Sequence, residues 1–91
     1  MSILGASSDG SVALLRNETE ELVVHHSGAQ HALSKDLTGV TGYGVVAPDG
    51  RRILLQREDR DDAIVIDAAT RRPLARLEIV AGAFVFNWRT A

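Results

Sequence analysis

Residues 43–67 read YGVVAPDGRRILLQREDRDDAIVID, a run of three short strands joined by two tight polar turns. Val45 and Val46 lead into Pro48-Asp49-Gly50, where proline sets φ for a turn and glycine supplies positive φ. Arg52 to Gln56 then carries Ile53, Leu54 and Leu55, an apolar run bounded by turn signals and too short for a helix. Glu58 to Asp62 is fully charged and reads as a solvated hairpin loop in which Arg57 and Arg60 compensate the acids. Ala63 to Ile66 is the next strand, and Ala68-Ala69-Thr70 begins the turn after it.

The same order of features stands earlier in the chain. Ser8-Asp9-Gly10 takes the place of Pro48-Asp49-Gly50, an offset of 49 − 9 = 40, and each is followed by an apolar strand. Asn17 to Glu21 answers Arg57 to Asp62, one residue longer, after which Leu22-Val23-Val24 aligns with Ala63-Ile64-Val65 at an offset of 41. Ser27-Gly28-Ala29 then faces Ala68-Ala69-Thr70. A period of about 40 residues with four short strands per unit is that of propeller blades.

In this order of apolar strand, PDG, apolar strand, polar loop and the run Val65 to Thr70, VIDAAT, the chain resembles the blade repeats of the YVTN and WD40-like β-propeller families, in two tandem units. The resemblance implies an all-β fold of two four-stranded antiparallel blades. The units are 1–42 and 43–82 of a single domain 1–91, with a closing strand 83–88. A small β-sandwich or barrel is the structural alternative.

Strands are expected at about 2–6, 12–16, 21–26, 31–35, 43–47, 52–57, 62–67, 73–79 and 83–88. Pro73 opens its strand, where a missing N–H does no harm. DLTGVTG, residues 36–42, reads as the linker between units, and HSGAQHALSKDL, residues 26–37, could form a short helix on propensity alone.

Composition sets outer bounds. Ninety-one residues, 45% of them hydrophobic, can form one core, but a domain of this size buries a smaller share of its surface than a large one. With no cysteine there is neither a disulfide framework nor a thiolate ligand. The opening MSILGASSDG lacks the basic flank and apolar core of a signal peptide, and no stretch has the roughly 18 apolar residues of a membrane span. A cytoplasmic protein with no membrane partner is therefore expected. The formal net charge of −2 gives no reason to expect a nucleic-acid partner. Charge is uneven: residues 1–43 carry two basic against five acidic side chains, and residues 44–91 carry eight arginines against seven acids. The two halves could attract each other's copies. The doublets Arg51-Arg52 and Arg71-Arg72 read as solvated turn residues, and nine arginines to one lysine point to a GC-rich bacterial source.

Residue types capable of chemistry do not fall into catalytic patterns. His25 and His26 point to opposite faces of a strand, so at most one can join His31 and Glu20 or Asp36 in a zinc site, and no zinc-ligand spacing is present. No serine sits in a Gly-x-Ser-x-Gly elbow, the acidic cluster 58–62 lacks EF-hand spacing, and the glycines of residues 39–44 are not followed by the Lys-Ser/Thr of a phosphate loop. No catalytic residue, cofactor or metal is assigned. The structural turns are Asp9 and Gly10 with Pro48, Asp49 and Gly50.

Phe84, Phe86 and Trp88 share one face of the last expected strand. Such a strand has to be buried, and aromatic anchors of this kind are frequent at interfaces. The expected function is a non-enzymatic binding or scaffold module that assembles with copies of itself, a trimer giving six blades, or with a propeller-completing protein. A sugar- or small-ligand-binding protein with pockets between blades, and a subunit or fragment of a larger propeller-containing enzyme, are the functional alternatives.

Overall fold

The structure is a computed structural model, and residues 2–78 are described. The expected closing strand 83–88, with Phe84, Phe86 and Trp88, lies outside the described residues. The fold is all-β, with two four-stranded antiparallel sheets. The first is the meander β1 (Ser2–Ala6), β2 (Val12–Arg16), β3 (Leu22–His26) and β4 (Ala29–Ala32); the second is β5 (Thr41–Val46), β6 (Arg52–Arg57), β7 (Asp62–Asp67) and β8 (Pro73–Glu78). The sheets share no strand pairing, so they do not close into a barrel.

Alternation along the central strands decides the packing. Directly opposed residues share a face, and Leu14 lies opposite Val24 while Arg16 lies opposite Leu22. We call this the front face of the first sheet; Val12, Leu14, Leu22 and Val24 are all buried on it. In the second sheet Ile53 lies opposite Ile66 and Leu55 opposite Ile64. These eight residues, with Leu33, Val46 and Ala68, form one buried cluster, and Leu4 and Leu37 pack against it. Each large side chain removed from water there contributes about 1.5–3 kcal/mol. β1 and β5 meet at the seam, where Gly44 lets β5 approach β2: a Cβ at this position would collide with Leu14 Cδ2.

Two expected elements are displaced. The fourth strand is Ala29–Ala32 rather than 31–35, because Ser27 and Gly28, at φ 52° and 78°, make a two-residue hairpin loop and His26 pairs directly with Ala29. Ser27-Gly28-Ala29 therefore does not match Ala68-Ala69-Thr70, which belong to a longer loop, residues 68–72. The linker contains one helical turn, α1 (Lys35–Thr38), begun by Ser34, whose hydroxyl accepts the Leu37 N–H.

Candidate functional site

The two turns singled out in the sequence have the same geometry. Gly10 and Gly50 have φ of 76° and 74°, a region that side chains disfavour. Gly10 N–H donates to Ser7 C=O at 3.0 Å and Gly50 N–H to Ala47 C=O at 2.8 Å. Ser7 N–H donates to Val12 C=O at 2.8 Å and Ala47 N–H to Arg52 C=O at 2.9 Å. The aspartates act alike: Asp9 Oδ1 accepts from Ser11 N–H and Asp49 Oδ1 from Arg51 N–H, each at 3.0 Å. Asp9 also accepts from the hydroxyls of Ser7 and Ser11. These bonds, the Ser11 amide first, hold its carboxyl down at about 2. The turns touch: Ser8 N–H donates to Pro48 C=O at 3.0 Å, and a Cβ on Gly50 would lie 3.1 Å from Val12 Cγ2. The expected turn residues are thus brought to one end of the pair of sheets.

Outside the shared core, each sheet carries apolar side chains on its other face as well. On the rear of the first sheet, Ile3, Leu15, Val23 and Ala32 form one row across all four strands through the pairs Ile3–Leu15, Leu15–Val23 and Val23–Ala32. On the far face of the second, Val45, Leu54, Val65 and Ala75 form a comparable row, beside a second one of Tyr43, Gln56, Ala63 and Leu77. Leu54, Ala63 and Val65 form a second buried cluster. Ile3 is 71% exposed and Tyr43 54%, one on each of these end faces.

The charged stretch after β6 differs from its expected form. Arg57 and Asp62 are buried, not solvated, with 5% and 0% exposure. The guanidinium grips the carboxylate with both arms, Nε to Oδ1 at 2.7 Å and Nη2 to Oδ2 at 2.6 Å, while Nη1 donates to Leu37 C=O at 3.0 Å. Arg76 Nε adds a third bond to Asp62 Oδ2 at 2.6 Å. Led by the Arg57 hydrogen bonds, this holds the Asp62 carboxyl below the ordinary range, and the same bonds raise the Arg57 guanidinium. Sequence reasoning missed the pair; its signal was that Arg57 and Asp62 end adjacent strands and face each other across them. Through the Arg57 Nη1 bond to Leu37 C=O the network anchors the linker to the second sheet. Arg60, by contrast, is surface-exposed and 3.9 Å from Asp59.

The histidines separate as their spacing requires. His25 shares the rear face with Ala13, and His26 and His31 lie with Val24 on the front. Among the described residues no group of three His, Cys, Asp or Glu side chains could hold a metal ion. A cleft of about 230 Å³ opens between the ends of the sheets, lined by Arg16, Glu20, Leu33, Lys35 and Thr41 among others and by no aromatic ring. Arg16 Nη2 closes part of it by donating to Thr41 C=O at 2.6 Å. No described helix is long and apolar enough to cross a membrane.

The chain has the features of a small all-β module with apolar faces at both ends of its sheet pair. Against known proteins, no family model and no solved structure matches it. Among curated proteins it is 33% identical over 84 residues to the bifunctional protein GlmU of Methylococcus capsulatus, a match that covers 90% of this chain. It spans only 18% of that relative's length.

Proposed function

We propose that the chain is a non-catalytic assembly module, a pair of propeller-like blades whose end faces are covered by further units. The observation that carries this reading is that both sheets are apolar on both faces. A two-sheet sandwich that is complete by itself keeps its outer faces polar. Here Ile3, Leu15 and Val23 on one end and Tyr43, Val45 and Val65 on the other take such outer positions; Ile3 and Tyr43 are exposed, while Leu15, Val23 and Val65 are already buried. Four-stranded meanders with matching turns 40 residues apart support the blade resemblance, and stacked units of this kind need neighbours on both sides. Copies of the chain are the first source of those neighbours, three chains giving six blades.

A longer chain that holds this stretch is a second source, favoured by the match to a small part of a much larger bifunctional protein. Any chemistry of such a protein would then lie outside these residues. The small-ligand reading is weaker, since the cleft of about 230 Å³ falls below the roughly 300–1,000 Å³ of typical ligand pockets.

Assembly couples folding to concentration. The melting temperature of the full chain should rise between about 1 and about 100 µM protein, as mass action requires when only the folded state associates. A melting temperature independent of concentration would count against self-assembly.

A further inference from the structure

The alignment of the two halves determines which faces are equivalent. Leu14, Leu22 and Val24 on the front of the first sheet correspond to Leu54, Ala63 and Val65, at offsets of 40, 41 and 41. Those three form the far face of the second sheet, not the face in the shared core. Conversely, Leu15 and Val23 on the rear of the first sheet correspond to Leu55 and Ile64, which lie in the core. Within the chain, then, the front of one unit packs on the rear of the next, and like never meets like. Among the described residues, the rear of the first sheet and the front of the second pack against no other strand.

We infer that a second copy of the chain docks here head to tail, the rear of its first sheet, at the exposed Ile3 and Ala32, on the front of this chain's second sheet, at the exposed Tyr43, Arg52 and Ala75. The inference rests on the assembly reading above and adds to it the faces and their direction. It repeats an interface the chain already makes, and it covers Ile3 and Tyr43, the two most exposed large apolar side chains on the described strands. Because Leu54, Ala63 and Val65 on the front and Leu15 and Val23 on the rear are already buried, contact falls on the rims, Tyr43, Arg52 and Ala75 on one side and Ile3 and Ala32 on the other.

Moving the internal contacts by 40 positions gives the details. Val12, which lies against Gly50, corresponds to Arg52, and Gly50 corresponds to Gly10. Arg52 of one copy thus comes over the turn of the next, beside the ionised, exposed Asp9. The bond from Ser8 N–H to Pro48 C=O is lost between copies, because Pro48 stands where Ser8 stood and has no N–H. An ion pair takes the place of a backbone bond. The excess of acid in residues 1–43 and of base in residues 44–91 favours the same direction. Head-to-tail contacts close into a ring when the rotation per chain divides a circle.

Three substitutions at exposed positions test this without touching the core. Ile3→Glu blocks the rear face and Tyr43→Glu the front; Arg52→Glu is a second front-face block. Each variant alone should be monomeric by light scattering, with the circular dichroism of the wild type. An equimolar mixture of Ile3→Glu and Tyr43→Glu retains one good interface and should give a one-to-one dimer of 2 × 9.8 = 19.6 kDa. An assembled wild type whose mass neither Ile3→Glu nor the two front-face variants reduce would overturn the face assignment and leave self-assembly standing. So would a mixture that stays monomeric. A wild type that is itself monomeric at tens of micromolar would overturn both.

Discussion

The first and second sheets form the same turn at one end and differ at the other. At the Asp-Gly end both use a glycine at positive φ and an aspartate accepting from the amide two residues on. At the opposite end, the β2–β3 loop is held by a neutral side chain: Asn17 Oδ1 accepts the N–H groups of Thr19 and Glu21 at 3.0 and 2.9 Å. The β6–β7 loop is held by the buried Arg57–Asp62 pair. Glu20 and Asp61 nevertheless take up left-handed backbone at matching places, φ 64° and 49°. Backbone conformation and apolar alternation therefore define the unit, and the chemistry that stabilises each loop is replaceable. The difference also makes the second sheet depend more on one residue.

That dependence gives the largest expected effect. Asp62→Ala leaves Arg57 buried without its carboxylate and should cost about 3–5 kcal/mol in urea unfolding. If it costs no more than Asn17→Ala, the contrast between the loops is wrong. The same network predicts acid sensitivity. The Asp62 carboxyl is depressed in the folded state, so its stabilisation is present above the ordinary value of 3.8 and is lost as pH falls through the lower folded value. Asp9 adds to this loss between 3.8 and about 2. Unfolding titrations below pH 4 should show the drop, and Asp62→Ala should flatten it.

The turns sharpen the comparison from the other side. Gly10→Val and Gly50→Val should each cost about 1–3 kcal/mol from forcing a β-branched residue into left-handed backbone. Gly50→Val should be the worse, since its Cβ would meet Val12 Cγ2 at 3.1 Å while nothing lies within 4 Å of a Cβ on Gly10. Thermal melts that show both variants equal to wild type would remove the equivalence of the turns. The smallest effect belongs to Asn17→Ala, about 1 kcal/mol, since its hydrogen bonds are exposed to water.

Much of the architecture was legible because turn residues punctuate it. Pro48-Asp49-Gly50 and Ser8-Asp9-Gly10 placed β1, β2, β6 and β7 to the residue or within one of it at each end. β4 was misplaced because Ser27 adopts positive φ, which Gly28 alone does not announce. The buried ion pair was illegible for a different reason. A run such as EDRDD looks solvated by composition, as Glu58 to Asp61 are, and only the pairing of Arg57 with Asp62 across two strands, with Leu37 above, takes those two side chains out of water. Which apolar face meets which became visible only in the packing of the two sheets.

The claim that these sheets are units of a longer stack is tested most directly by the absolute mass of the full chain, measured by light scattering at tens of micromolar. Head-to-tail assembly predicts a multiple of 9.8 kDa, three chains at 3 × 9.8 = 29.4 kDa for a six-bladed ring. A mass of 9.8 kDa at every concentration would contradict it.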